Sequence, residues 1–138
     1  MYNRSVIDVG LGRVPAETVF KGGKLVNVYT AEVYDADVAV FDGKIAVVGD
    51  VETTLGPDTE IVDASGFHLV PGLIDAHVHT EVTKLSITNF VKTVNIHGTT
   101  SVCTAFDQIA PVKGIDGIRY MLDEAESLPL RIFNPPPC

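Results

Sequence analysis

The segment Val70-Pro71-Gly72-Leu73-Ile74-Asp75-Ala76-His77-Val78-His79 ends an apolar run with two histidines at a spacing of two. Side chains two apart in a β-strand share a face, so both imidazoles can reach one ion at the strand's end. Neutral imidazole is the commonest transition-metal ligand, and a bound metal activates water near neutral pH. The segment indicates a metal site suited to hydrolysis, although the short motif alone leaves open an ordinary surface strand.

The sequence of residues 1–70 predicts an all-β module. Short β-branched runs alternate with turn residues, at 18–20, 24–28, 36–41, 44–48, 58–64 and 66–70. Asp42-Gly43 lies between two apolar runs, which predicts a tight hairpin whose central residues have positive φ.

Residues 71–138 alternate between strand and helix patterns, as parallel βαβ units do. Strands are predicted at 73–79, 99–105 and 130–133. The first helix is predicted at 86–97, because apolar residues recur at helical spacing between Ser86 as N-cap and Gly98 after the C-terminus. A second helix carries its apolar stripe from Ile115 to Ala125.

Composition narrows the function classes. The chain has 138 residues, 46% of them hydrophobic, and a net charge of −8. It has enough apolar residues to form a core, and its negative net charge argues against nucleic-acid binding. Without an 18-residue apolar run or a signal-like N-terminus, we expect no membrane association and a cytoplasmic location. Two distant cysteines, Cys103 and Cys138, exclude the zinc base deaminases that carry Cys-x-x-Cys.

Residues 71–79 resemble the Pro-Gly-x-Ile-Asp-x-His-x-His motif of the amidohydrolase superfamily. Further stretches are similar to adenine deaminase, at 6–17, 23–30, 37–40, 42–50, 97–100 and 117–122. The resemblance covers nearly the whole chain. It implies the N-terminal part of a (β/α)8 TIM barrel, residues 71–138, beside a small β-sandwich domain, residues 1–70.

The chain is short for that fold, since such a barrel typically takes about 250 residues. We therefore expect an N-terminal subunit or fragment, completed in a heteromer by a larger chain that carries the rest of the barrel and sandwich, and present in a higher oligomer. Open sheet edges would make it aggregate alone. Separate coding, proteolysis and self-cleavage beside Cys138 all stay open.

For the metal, the resemblance implies a binuclear centre to which this chain contributes His77 and His79. Later strands would add a Glu or carbamylated Lys, two further His and an Asp. Zinc, manganese and iron are not distinguished by two histidines. Because a catalytic zinc site typically uses three protein ligands, we expect activity only with the remaining barrel chain.

Two acidic residues flank the histidines. Asp75 is predicted on the same strand face as His77, where it would hydrogen-bond a ligand imidazole; a structural contact at the barrel floor is the alternative. Glu81 matches the acidic residue after the family's His-x-His. We predict that it faces the site, touching substrate or the metal's surroundings, with a solvated loop position as the alternative.

Departures from the adenine deaminase pattern fall at substrate-facing positions. The family's Glu-Ser-Ser-Met is replaced by residues 81–84, Glu-Val-Thr-Lys, and its Asp-Pro-His-Glu-Ile-Ala-Asn by residues 105–111, Ala-Phe-Asp-Gln-Ile-Ala-Pro. Polar partners for a purine are lost, which argues against adenine. We predict that Phe106 forms an apolar wall of the substrate site and that Asp107 and Gln108 are polar substrate anchors. The alternative is that all three are ordinary loop residues.

These observations predict a metal-dependent hydrolase that cleaves a C–N bond in a small cyclic nitrogen-containing amide, imide or amidine. A true adenine or nucleobase deaminase is the second hypothesis, and it differs by releasing ammonia. The third is a non-catalytic assembly scaffold of the same family, which predicts no bound metal.

Overall fold

A computed structural model describes residues 5–133, and the chain divides into two compact units, Met1–Pro71 and Gly72–Cys138. Cys138 and the prolines before it lie outside the described residues, and so does the self-cleavage hypothesis that depends on them. Within residues 5–133, no helix has the length and apolar character needed to cross a membrane.

Between residues 5 and 71, the first unit has one short α-helix, one 3-10 helix and two small sheets. Helix α1 spans Val6–Gly10, and a 3-10 helix spans Glu52–Thr54. The strands are β1 (Thr18–Lys21), β2 (Lys24–Asn27), β3 (Glu32–Asp35), β4 (Asp37–Phe41), β5 (Lys44–Gly49), β6 (Glu60–Asp63) and β7 (His68–Leu69). One sheet has the order β5-β4-β1-β6, and the other has the order β3-β2-β7. In the larger sheet, β1 pairs antiparallel with β4 and parallel with β6, so that Thr18 lies opposite Glu60.

The hairpin between β4 and β5 forms at the Asp-Gly pair. Asp42 and Gly43 have φ values of 51° and 66°, the positive-φ geometry that a two-residue type I′ turn requires. The strands run antiparallel, with Phe41 opposite Lys44. The sequence prediction of this hairpin is confirmed.

Two elements of the first unit are absent from the sequence prediction. Helix α1 is too short to show a helical apolar period, yet its Val9 is fully buried in the same core as Val19 and Phe41. Strand β3 follows a turn at Ala31, whose φ of 58° is adopted without a glycine to signal it. The first miss reflects tertiary packing, whereas β3 is exposed along its length and has no buried face to give an alternating pattern.

The second unit alternates strands and helices. Its strands are β8 (Leu73–Asp75), β9 (Thr99–Cys103) and β10 (Arg131–Phe133), and its helices are α2 (Ile87–Asn95) and α3 (Ala110–Ala125), with a 3-10 helix at Thr80–Thr83. The three strands are parallel, in the order β10-β9-β8. This is the strand and helix order that opens a (β/α)8 barrel.

Both helices pack on the sheet through one apolar core. It contains Ile87, Phe90 and Val91 of α2, Val102 of β9, and Met121 and Ala125 of α3. Ser86 caps α2 as predicted, its hydroxyl oxygen accepting from the Asn89 N–H at 3.3 Å. Helix α3 starts before the predicted apolar stripe and is interrupted at Gly114, whose φ of 61° and ψ of −154° are not helical.

The opposite face of this sheet is bare. Strand register places Ile74 beside Ser101 and Phe133 beside Cys103, on the face away from Val102. Ile74 is 66% exposed and Phe133 is 48% exposed. Strand β8 ends at Asp75, so the prediction that it continues to His79 is wrong.

Candidate metal centre

Two loops meet at the carboxyl ends of β8 and β9. The first, residues 76–83, carries both histidines, and the second, residues 104–109, follows β9. The Val78 N–H donates to the Cys103 carbonyl at 3.0 Å, which holds the first loop against the end of β9. Ligands of parallel α/β folds bind beyond the carboxyl ends of strands. The loops therefore lie at the sheet edge where a site is expected.

The Nε2 atoms of His77 and His79 lie next to each other, at hydrogen-bonding distance. Their Nε2 atoms are 3.2 Å apart, and the rings meet edge to face at a centroid distance of 4.9 Å. Two nitrogens bound at about 2.0–2.1 Å to a tetrahedral zinc are about 3.3 Å apart. The pair has the separation that one shared metal ion requires. The convergence comes from loop geometry after β8, not from the strand face that the sequence predicts.

Asp107 contacts the other nitrogen of the second imidazole. Its Oδ1 lies 3.1 Å from Nδ1 of His79. The side chains of His79 and Asp107 are 30% and 45% exposed. The sequence predicts Asp107 as a substrate anchor, whereas the structure brings it to a metal-ligand candidate.

Glu81 links the two loops. Its Oε1 accepts a hydrogen bond from the backbone N–H of Gln108 at 3.2 Å. His79, Glu81 and Asp107 each bring one potential ligand atom to within 4.8 Å of the others. Glu81 is half-buried beside His79 and Asp107; that it faces substrate or the metal's surroundings stays a prediction.

Asp75 makes a different contact from the predicted one. Its Oδ1 accepts from the backbone N–H of His77 at 3.1 Å, so it holds the turn after β8 and not the imidazole. The register opposite Val102 places Asp75 on the helix-facing side of the sheet, away from the inner face that the sequence predicts. Orientation of His77 by Asp75 therefore acts through the backbone.

The loop after β9 corrects a second prediction. Phe106 is 2% exposed and belongs to the core beneath the helices, so its ring packs with apolar side chains instead of forming a substrate wall. The side chain of Gln108 is exposed, and its use as a substrate anchor stays a prediction. Apolar burial of a loop residue depends on the helices above it, which no local pattern reveals.

Thr80 is a positioning residue that the sequence prediction missed. It is 1% exposed and begins the 3-10 helix directly after His79. The Thr83 hydroxyl donates to the Thr80 carbonyl at 2.6 Å, closing this turn. The burial of Thr80 depends on tertiary packing, so the sequence carries no local signal for it.

The donor set fits a divalent metal. Imidazole nitrogens suit zinc, iron and related ions, while carboxylate oxygens suit manganese as well. His77 and His79 would hold the ion through Nε2, and Glu81 and Asp107 lie beside them. Open coordination positions would be needed for water and substrate.

Sequence comparison identifies the relatives. No protein-family model matches the chain. An adenine deaminase from Moorella thermoacetica is 46% identical over 130 residues, covering 94% of this chain and 22% of that enzyme. Adenine deaminase 1 from Desulfotalea psychrophila is 45% identical over 130 residues with the same two coverages of 94% and 22%.

This chain corresponds to the N-terminal portion of an adenine deaminase-like amidohydrolase. The prediction drawn from the sequence motifs is confirmed. The adenine deaminase-like chain spans 22% of the length of the curated relatives.

Structural similarity agrees with this family. The N-acyl-D-glutamate deacylase of Bordetella bronchiseptica, solved with zinc and a phosphonate mimic of the tetrahedral intermediate, matches at a TM-score of 0.55 and 26% identity. The match covers 66% of this chain and 19% of that enzyme. About two thirds of the chain therefore share the fold of part of that deacylase.

Proposed function

We propose that this chain supplies the first metal ligands of an amidohydrolase that cleaves a C–N bond in a small cyclic amide, imide or amidine. The convergence of His77 and His79, with Nε2 atoms 3.2 Å apart, carries the proposal. Without an ion, one neutral ring can donate its Nε2–H to the Nε2 of the other across this distance. A shared divalent ion satisfies both nitrogens.

When bound, the metal supplies activated water and polarises the carbon under attack. The chain's own residues hold and shape the place where this occurs. The two imidazoles bind the ion, while the Asp75 carboxylate fixes the backbone that carries His77. Glu81 holds Oε1 on the Gln108 N–H, and its Oε2 accepts from the Thr80 hydroxyl at 3.5 Å. Each carboxylate oxygen has a second lone pair, which can accept a hydrogen bond from substrate or water.

Adenine deamination is the second candidate, and the identities of 46% and 45% to enzymes named adenine deaminase favour it. The replacements at residues 82–84 and 105–108 favour another ring substrate. The scaffold hypothesis predicts no metal binding, and the matched geometry of the two imidazoles argues against it. Ammonia release separates deamination from ring opening.

We propose that the remaining barrel strands cover the bare face of the β10-β9-β8 sheet. Support comes from Ile74 and Phe133, apolar inner-face residues that are 66% and 48% exposed. An apolar face of this kind is buried in closed barrels. A separate larger chain, a higher oligomer and a cytoplasmic location stay predictions, and intact mass of the native protein tests the first.

The test is replacement of either histidine in the native protein. His77→Ala and His79→Ala should each lower bound metal, measured by elemental analysis, and reduce hydrolysis across purines, pyrimidines, lactams and cyclic imides to the background rate. Ammonia is assayed on the same panel. The fold should persist, because the two side chains lie on the sheet's carboxyl edge and outside the core.

The matched control is His97→Ala, which removes an exposed imidazole from the same unit away from the two loops. It should retain metal and activity. Wild-type metal content and turnover in both site variants would overturn the metal centre. Metal binding with no hydrolysis of any panel member would overturn the proposed substrate class.

A further inference from the structure

The second imidazole of the metal pair has a neighbour at each ring nitrogen. Nε2 of His79 faces Nε2 of His77 at 3.2 Å, and Nδ1 faces Oδ1 of Asp107 at 3.1 Å. An ionised carboxylate can only accept a hydrogen bond. Nδ1 of His79 must therefore carry the proton in this contact.

The position of that proton decides which nitrogen can bind a metal. A neutral imidazole protonated at Nδ1 presents its lone pair at Nε2. Nε2 is also the nitrogen that converges with His77. The contact with Asp107 thus selects the tautomer and ring orientation that a metal shared by both histidines needs.

Asp107 is itself held on both sides. The preceding residue, Phe106, is anchored in the core at 2% exposure. The following residue, Gln108, donates its N–H to Glu81 at 3.2 Å. Because Glu81 belongs to the histidine loop, this bond fixes the loop that presents Asp107 relative to His79.

We infer that Asp107 is a positioning residue that fixes His79 with Nε2 directed to the metal. The inference rests on the proposed function, and it replaces the substrate-anchor prediction for this side chain. It also explains how the chain uses an acidic residue where the adenine deaminase pattern has histidine: a carboxylate accepts from Nδ1–H without competing for that proton. Removing a residue that hydrogen-bonds a metal-ligating histidine typically weakens metal binding by about 10–100-fold.

The test measures zinc affinity of the native protein by competition with a chromophoric chelator. Asp107→Ala removes the acceptor and should weaken zinc binding about 10–100-fold. Asp107→Asn is nearly isosteric but can turn its NH₂ toward Nδ1, which favours the opposite tautomer, so it should also weaken binding. Asp107→Glu keeps the acceptor and should recover part of the affinity.

A spectroscopic readout separates orientation from general destabilisation. With cobalt in place of zinc, the visible absorption bands report ligand geometry, so they should shift in Asp107→Asn and return toward wild type in Asp107→Glu. The matched control is Asp116→Asn, since Asp116 is a 93% exposed carboxylate on α3 in the same unit. It should leave affinity and spectrum unchanged.

The outcomes distinguish the two proposals. Suppose that zinc binding requires His77, but that Asp107→Ala and Asp107→Asn keep wild-type zinc affinity and the wild-type cobalt spectrum. This result overturns the role of Asp107 and leaves the metal centre intact. A wild-type protein that binds no zinc or cobalt overturns the metal centre itself. Weakened zinc binding with an unchanged cobalt spectrum in Asp107→Asn overturns the orientation argument.

Discussion

The two units of this chain bury apolar residues in different ways. The first closes a core within itself, where Val9, Val19 and Val51 have no exposed surface. It still leaves an apolar cleft of about 640 Å³ that both of its sheets line, through residues such as Leu25, Tyr34 and Val40. The second buries only the helix-facing side of its sheet and leaves Ile74 exposed on the other.

The difference reflects strand connectivity. In the first unit two hairpins, β2–β3 and β4–β5, are joined by the longer-range pairs β1–β4, β1–β6 and β2–β7, so these strands find their partners within the unit. A parallel barrel buries its inner face only when all of its strands are in place. The candidate metal residues all lie in the unit whose burial is less complete, at the strand edge that the rest of a barrel would enclose.

The largest expected effects come from paired core truncations that ask whether the units unfold separately. Phe90 of α2 and Phe41 of β4 are 5% and 8% exposed. Phe90→Ala and Phe41→Ala should each cost about 3–5 kcal/mol of unfolding free energy, because a buried ring leaves a cavity. Hydrogen exchange with mass spectrometry on the native protein reads each unit by its own peptides.

Each truncation should lower the protection of backbone amides against hydrogen exchange in its own unit and leave protection in the other unit unchanged. If either one lowers protection equally in both units, the comparison fails, since the chain would then unfold as one cooperative body.

A smaller effect is expected from Gly72, the first residue of the second unit. A Cβ there would overlap the Thr100 side chain, so Gly72→Ala should lower stability by about 1–3 kcal/mol. Thr100→Ala should recover part of this loss, because it removes two of the overlapping atoms. Chemical denaturation of the two single variants and the double variant measures the interaction free energy between positions 72 and 100.

Gly10 of α1 is the matched glycine in the first unit, since the nearest atom to a Cβ there is 3.7 Å away. Gly10→Ala should change stability by less than about 1 kcal/mol. Equal losses at Gly10 and Gly72 would show that backbone freedom, not the contact with Thr100, sets the cost.

The smallest effect concerns acid sensitivity of the first unit. The hydroxyl and the backbone N–H of Ser65 lower the pKa of Asp63, the N–H lying 2.9 Å from Oδ1. The contribution is therefore present above the unfolded pKa of about 3.9 and is lost as pH falls through the lower folded pKa.

Ser65→Ala removes the hydroxyl and should slightly lower stability at pH 7. The difference from wild type should vanish at a pH below the folded pKa of Asp63. Thermal unfolding at both pH values measures it. A difference that is the same at both would assign the effect of Ser65 to the turn geometry and not to Asp63.

Sequence reasoning reached the features that local chemistry specifies. The Asp42-Gly43 turn and the Ser86 cap each follow from residue type and spacing. The sequence also singled out His77 and His79, but a loop and not the predicted strand face brings them together. It did not reach the contact between Asp107 and His79, because the two residues come from loops after different strands. Nor did it reach the burial of Phe106, which depends on helices packed over its loop.

The pairing of β1 with β6 has a kinetic consequence. Thr18 and Glu60 are 42 residues apart, and β1 is an inner strand of its sheet, bonded to β4 on its other side. Contacts of such long sequence separation slow folding, because the loop must close before it gains any stabilising contact. During synthesis, one edge of β1 stays open as a template for foreign strands until β6 has left the ribosome.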